Sequence, residues 1–179
     1  MSQASSKGFT LLLASLIASL LLSVGLSMFT IAQKEIILSS LGRDSQYAFY
    51  AADSGAECAL YWDFKNAFNP NEEFIGATCN SQAIGSLAND GSGNRYIGGG
   101  GYGPAGEATT DFWFEQVVEK EINGTIVERK RCVNVTVTKR NSGGTATEIN
   151  SKGYSVGCDA DGNPIINSRT LERAVRMRY

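Results

Sequence analysis

The first long run of hydrophobic positions extends from Phe9 to Ala32 and contains no charged residue. As an α-helix with a rise of about 1.5 Å per residue it would reach about 36 Å, so the pattern predicts a membrane-spanning helix. A cleaved secretory signal usually has a shorter apolar region of about 7–15 residues, although Thr30-Ile31-Ala32 is an acceptable cleavage sequence. A permanent anchor, and an anchor whose polar leader is removed in front of the apolar run, both remain open.

The helix is predicted to continue over residues 33–64 with an amphipathic pattern. Small and apolar residues recur there at alternating spacings of four and three, which places them on one helical face: Leu41, Ser45, Ala48, Ala52, Gly55, Ala59 and Trp62. Charged residues such as Arg43, Asp53 and Glu57 fall on the opposite side. The narrow stripe of small residues predicts that this half of the helix packs closely against a sheet.

Alternation with a period of two begins at Phe112 and predicts antiparallel strands over residues 112–179. Phe112 and Phe114 share one face of a first strand, which leads into the hairpin signal Asn123-Gly124. In a second strand, Val133 and Val137 point to one face while polar residues point to the other. This is the pattern of a sheet with one face on a helix.

Two further strands complete the predicted sheet. The segment 145–158 follows the turn 141–144, and in the segment 171–179 apolar and charged residues alternate again. The pattern therefore predicts an antiparallel sheet of about four strands in this part of the chain.

The region 65–111, between the helix and the sheet, is predicted to be irregular and rich in glycine. Asn69-Pro70-Asn71 ends the helix. Gly98, Gly100 and Gly103 formally satisfy a dinucleotide-binding glycine pattern, but no strand is predicted before them and no helix after them. A surface loop is therefore the preferred interpretation.

Composition changes this picture mainly through the functions it disfavours. The 179 residues allow one ordinary domain beside the apolar segment, and the formal net charge of −2 gives no overall attraction to nucleic acid or anionic lipid. The chain has no histidine, so the commonest general base and neutral metal ligand is missing. We expect no catalytic activity, because no nucleophile, base and oxyanion donor can be combined into a site.

Four widely spaced cysteines without a C-x-x-C pair predict disulfide bonds in an exported domain. Three pairings are compatible with the sequence. The preferred one joins neighbours, Cys58 with Cys79 and Cys132 with Cys158, and each closed loop would contribute about 3 kcal/mol. Free buried thiols are the alternative.

Two groups of charged residues are weaker candidates for binding. Asp159, Asp161 and Asn163 offer alternating oxygen ligands for calcium, but the terminal bidentate carboxylate is missing and a solvated turn is preferred. Basic residues concentrate toward the C-terminal strands: Arg129, Lys130, Arg131, Lys139, Arg140, Arg169, Arg173, Arg176 and Arg178. They would hold DNA phosphates if several shared one face, whereas charges that protect sheet edges from aggregation explain the same pattern.

The N-terminus carries a family resemblance. A polar leader ends in Lys7-Gly8 in front of Phe9-Thr10-Leu11-Leu12, and this junction resembles the signal of type IV pilins. The resemblance implies that prepilin peptidase cleaves after Gly8 and that Phe9 becomes N-methylated. It also implies that the apolar helix first anchors the chain in the inner membrane and then joins other pilins or pseudopilins at an assembly platform.

One residue departs from the pattern of the major pilins. Their fifth residue after the cleavage is a glutamate that is thought to neutralise the terminal amine of a neighbouring subunit, and here that position is Leu13. Because a buried unpaired charge is costly, a subunit without this carboxylate is disfavoured as a repeating unit. The resemblance is therefore to minor pilins of the PilX type and to the tip pseudopilin of type II secretion.

Further stretches extend the resemblance over most of the chain. AFYAADSGAECAL resembles the second half of the helix in PilX-type proteins, and EINSKGYSVGC with RTLERAVRMRY resembles the end of minor pilins. The expected fold is α+β and pilin-like, with a long N-terminal helix on an antiparallel sheet. The expected segments are a leader, a filament-core helix, an amphipathic half-helix, an irregular region and a sheet: 1–8, 9–32, 33–64, 65–111 and 112–179.

The expected function is that of a structural subunit in the initiation or at the tip of a type IV pilus or a type II secretion pseudopilus. The alternative is an uncleaved single-pass protein that displays an extracytoplasmic domain for adhesion or DNA capture. A bound DNA or surface ligand is compatible with both.

Overall fold

The computed structural model describes residues 6–87, 93–122, 125–141 and 145–179. The chain forms two compact units, Met1–Arg43 and Asp44–Tyr179. The helix α1 runs from Ser6 to Phe64 and so contributes to both units. Its C-terminal end coincides with the predicted end of the amphipathic half. The predicted turns at 123–124 and 142–144 lie outside the described residues, as does the leader before Ser6.

The first unit consists, in its described part, of the N-terminal portion of α1. This helix is long and apolar enough to cross a membrane, and its most apolar part is not buried within the molecule. The hydroxyls of Ser15, Ser19 and Ser23 donate to carbonyls three residues earlier, so these polar groups are satisfied inside the helix. Such self-satisfaction is required in a medium that offers no hydrogen bonds.

In its described residues, the second unit combines the rest of α1 with nine strands, five of them short and four forming the large sheet. In chain order the strands are β1 (Glu73–Ile75), β2 (Thr78–Cys79), β3 (Gln82–Ala83), β4 (Ser86–Leu87), β5 (Arg95–Gly98), β6 (Glu107–Ile122), β7 (Thr125–Asn141), β8 (Thr145–Tyr154) and β9 (Glu172–Arg178). The large sheet has the order β6-β7-β8-β9, and all its neighbours are antiparallel. This confirms the predicted four-stranded sheet and the α+β, pilin-like layout.

One face of the large sheet forms the core of the second unit. Phe112 pairs with Val135, Val135 with Ser151, and Ser151 with Val175, so one row of side chains crosses all four strands. The first three of these residues are buried. The alternation read from the sequence thus assigns the correct face of β6 and β7 to the core.

The stripe of small residues on α1 covers this core face. Ala48, Ala52 and Ala59 are fully buried. A Cβ added to Gly55 would collide with side chains of β7 and β8, and one added to Gly153 of β8 would collide with the backbone of α1. Helix and sheet backbones therefore approach each other at a distance that larger side chains would prevent. The predicted close packing is confirmed.

A buried ion pair ties the end of α1 to the sheet. Asp63 Oδ1 lies 2.5 Å from Lys139 Nζ, and the two side chains are only 6% and 12% exposed. The hydroxyl of Tyr179 donates to Asp63 Oδ2 over 2.6 Å, and the Tyr179 ring stacks on Phe64. Burial, together with the nearby Asp63 carboxylate, raises the pKa of Tyr179. These contacts hold the end of α1, strand β7 and Tyr179 together at one point.

The region 65–111 is more regular than predicted. It holds β1 to β5, arranged as a three-stranded sheet β1-β5-β4 and a hairpin β2-β3, and β6 begins at Glu107 instead of Phe112. A strand, β5, does precede Gly98, contrary to the prediction, although the next element is β6 and not a helix. The short strands are stabilised by buried anchors such as Ile84 and Ile97, which short sequence patterns do not reveal.

The outer edge of β6 is covered at one position by side-chain amides. Gln82 accepts a hydrogen bond from the backbone N–H of Glu115 and donates one to its carbonyl, each over 2.9 Å. Asn80 Nδ2 donates to the same carbonyl over 2.8 Å. The Gln82 side chain therefore takes the place of a neighbouring strand at this point of the edge.

Candidate functional sites

The N-terminal site is a continuous apolar helix surface. The consecutive residues Leu20, Leu21 and Leu22 are 58%, 70% and 67% exposed, and successive helical positions point about 100° apart, so the surface is apolar all round. Phe9 and Leu13 are exposed on the same helix. Lys7 and Gly8 belong to the first turns of α1, and their side-chain surroundings lie outside the described residues. A helix of this kind is long and apolar enough to cross a membrane.

The four cysteines form the two predicted pairs. Cys58 bonds to Cys79 with a Cα–Cα distance of 6.0 Å, and Cys132 bonds to Cys158 with one of 4.8 Å. The first disulfide joins α1 to β2. The second joins β7 to the loop after β8, which holds that loop on the sheet face opposite α1. Both are consistent with an oxidising compartment.

The calcium candidate is a turn held by its own hydrogen bonds. Asp159 Oδ1 accepts the backbone N–H groups of Asp161 and Asn163 over 3.0 and 2.8 Å, and Asn163 Nδ2 donates to Asp159 Oδ2 over 3.4 Å. The backbone hydrogen bond from Asn163 is the main reason why the pKa of Asp159 is lowered. Among the described residues, no group of three cysteine, aspartate or glutamate side chains is arranged to hold a metal. The geometry therefore favours the solvated turn.

Most of the C-terminal basic residues are paired with carboxylates. The Glu148 carboxylate forms ion pairs with Arg178 over 2.6 Å, with Arg140 over 3.1 Å, and with Arg176. Arg178, with help from Arg176 and Arg140, lowers the pKa of Glu148 to about 2. Arg140 also reaches Glu107 over 2.6 Å. A phosphate would have to compete with these carboxylates, so DNA binding stays a prediction to which the geometry adds no support.

Arg131 belongs to the packing of the second unit and not to a surface patch. It is buried, donates to the carbonyl of Ser155 over 2.7 Å, and stacks its guanidinium 5.4 Å from the ring centroid of Tyr47 on α1. Burial lowers its pKa. Lys130 is paired with Glu115 over 2.8 Å. Lys130 and Arg131 are therefore engaged in contacts within the protein.

Sequence reasoning missed a groove on the face of the large sheet that points away from α1. It has a volume of about 380 Å³ and combines side chains of β6, β7 and β8 with the loop that follows Cys158. Trp113, Asn134 and Lys152 form one row across it, because Trp113 pairs with Asn134 and Asn134 with Lys152. These residues are far apart in the sequence, and only the strand register brings them together.

The fold and these sites define the chain as an α+β protein of pilin-like layout with a helix able to span a membrane. Comparisons with protein-family models, with characterised proteins and with solved structures found no match for this chain.

Proposed function

We propose that this chain is a minor pilin or pseudopilin, a structural subunit that helps to initiate a type IV pilus-like filament or to form its tip. The observation that carries the proposal is the uncharged, apolar surface of α1 between Phe9 and Ala32, joined to a disulfide-bonded α+β unit. Such a helix is soluble in lipid and equally able to pack among identical apolar helices. Exchange of lipid for neighbouring helices provides a route from membrane anchor to filament core.

In the proposal, cleavage in front of Phe9 favours the move of the helix out of lipid and into contact with neighbouring helices. Cleavage after Gly8 removes the polar leader with Lys7, which would otherwise hold the end of the helix at the membrane surface. The second unit then lies outside the inner membrane, where its disulfides form. Prepilin peptidase and the inner-membrane assembly platform are the partners that the proposal requires.

The decisive measurement is the mass of the mature N-terminus, taken from cells with and without prepilin peptidase. The expected product begins with N-methylated Phe9 and disappears without the peptidase. Gly8→Ala should block cleavage, whereas Gly25→Ala, in the middle of the same helix, should not. A chain that still begins near Met1 and never accompanies filaments would instead support a single-pass binding module.

Leu13 gives a second test of the position in the filament. If the missing carboxylate limits repeated incorporation, Leu13→Glu should raise the number of copies per filament, and Leu13→Gln, which adds polarity without charge, should not. Counting labelled subunits along isolated filaments measures this ratio. Equal copy numbers for the two variants would show that the carboxylate does not decide the incorporation of this chain.

DNA capture is tested separately from assembly. Charge reversal of the exposed Arg173 and Arg176 would abolish DNA retention by intact cells if these residues bind phosphates. Retention that survives the double reversal removes this part of the proposal and leaves the structural role unaffected.

A further inference from the structure

The groove on the outer face of the large sheet has a floor of polar side chains and one aromatic wall. Two cross-strand rows line the groove: the first contains Trp113, which forms the wall, with Asn134 and Lys152, and the second contains Asp111 and Thr136. Trp113 is partly exposed and lines the groove. The groove has a volume of about 380 Å³, which is at the small end of the range for ligand pockets, about 300–1,000 Å³.

The second wall of the groove is the loop after Cys158, and several contacts fix it in place. The Cys132–Cys158 disulfide holds its start. The Asp159 turn orders the following residues, and Gly162 packs so closely on the Trp113 ring that an added Cβ would collide with the indole. Gly162 also has a φ of +85°, which favours glycine. The groove is therefore preformed, which lowers the entropic cost of binding.

Hydrogen-bonding groups remain available along the floor. Thr136 Oγ1 donates to Asp111 Oδ1 over 2.6 Å, which fixes the carboxylate and leaves Oδ2 without a partner among the described residues. Among the described residues, the amide nitrogen of Asn134 has no hydrogen-bond partner. Asp161 adds an exposed carboxylate at the rim. An amide and carboxylates together donate to and accept from hydroxyl groups.

The charges of the groove decide against an anionic ligand. Asp111 and Asp161 both line it, and the Lys152 ammonium is shared with Glu172 over 3.3 Å. The balance is negative, so phosphates and acidic sugars are repelled. The carboxylates are also too few for a metal site in the described residues. A neutral molecule with many hydroxyls and an apolar ring face matches the combination of indole, amide and carboxylate.

We propose that this groove binds a neutral carbohydrate, as a short segment of one or two sugar rings. The part of the Trp113 ring that Gly162 leaves exposed contacts the C–H face of a sugar, while Asn134 and Asp111 hydrogen-bond its hydroxyls. The proposal does not depend on filament assembly, because the groove is formed entirely by the second unit.

Calorimetric titration of the full chain tests the proposal, with the protein in a detergent that has no sugar headgroup. The probes are neutral trisaccharides built from glucose, mannose, galactose and N-acetylglucosamine, with trigalacturonic acid as the anionic counterpart. We expect saturable binding of at least one neutral probe and none of trigalacturonic acid. If no neutral probe binds at 20 mM, or if trigalacturonic acid binds as well, the proposal is wrong.

Matched variants locate the binding. Asn134→Ala removes a hydrogen-bonding group from the floor and should weaken binding about threefold to tenfold. Asn150→Ala removes the same side chain from the same sheet face, but Asn150 does not line the groove, so affinity should stay unchanged. Equal affinities for the two variants would overturn the assignment. Thermal unfolding of both variants shows that any loss of binding is not a loss of folding.

Discussion

Gly153 lies directly against the backbone of α1, and the variant Gly153→Ala measures how closely the helix and the large sheet must approach. The added methyl would overlap with backbone atoms of Ala48 and Ala52, which cannot rotate away as a flexible side chain can. Overpacking of this kind costs about 1–3 kcal/mol. Alanine recovers part of this, about 0.5–1 kcal/mol, because it restricts the unfolded chain more than glycine.

Because the overlap involves backbone atoms of both Ala48 and Ala52, we take the upper end of the overpacking cost, about 3 kcal/mol, and the gain from alanine leaves a net loss in the free energy of unfolding of about 2 kcal/mol for Gly153→Ala. For a unit the size of Asp44–Tyr179 this corresponds to a decrease in Tm of roughly 5–10 °C. Thermal unfolding of the full chain in detergent, with intact disulfides and near-UV circular dichroism as the signal, measures the difference.

Gly100→Ala is the matched control. Among the described residues, no atom lies within 4 Å of a Cβ added there, and the backbone conformation is open to alanine. We expect a change within about 0.5 kcal/mol. If Gly153→Ala unfolds at the same temperature as Gly100→Ala, helix and sheet are able to move apart at little cost, and the close-packing argument is refuted.

Three further predictions concern the contacts of the second unit. Asp63→Asn leaves the buried Lys139 ammonium without its counter-ion and should lower the free energy of unfolding in urea by about 3–5 kcal/mol; a loss below about 1 kcal/mol would contradict the ion pair. Because the pKa of Glu148 is lowered from 4.5 to about 2, its stabilisation is present above pH 4.5 and is lost as the pH falls toward 2. Glu148→Gln should therefore reduce the fall of Tm at acid pH. An unchanged fall would exclude Glu148 as the cause of the acid sensitivity. Replacing Cys132 and Cys158 together by serine opens a loop with a sequence separation of 26 and should cost about 3 kcal/mol in the same urea assay; unchanged stability would contradict this.

The sequence predicts those features of the fold that repeat along the chain. The stripe through Ala48 and Ala59 and the alternation at Val133 and Val137 are periodic over several residues, and both faces are buried as expected. Each of these two patterns contains enough positions to distinguish a helix period from a strand period. The apolar run after Phe9 has no such period and is recognisable by its length.

Features that depend on contacts between distant residues could not be predicted. The strands β1 to β5 have two to four residues each, too few to show a period, and buried residues such as Ile97 hold them in place. The start of β6 at Glu107 is polar and becomes a strand by pairing with Arg140 of β7. The groove depends on strand register as well, since Trp113 and Asn134 become neighbours only when β6 and β7 are aligned.

The Gln82 amide at the edge of β6 limits how copies of this protein can pair when they are packed closely together. An incoming strand cannot run continuously along this border, because its path is interrupted where Gln82 holds Glu115. The opposite border, β9, carries the exposed charged side chains of Arg173 and Arg176, and an added strand would have to remove them from water. Many copies of the second unit can therefore lie side by side at high density without merging into an amyloid-like ribbon.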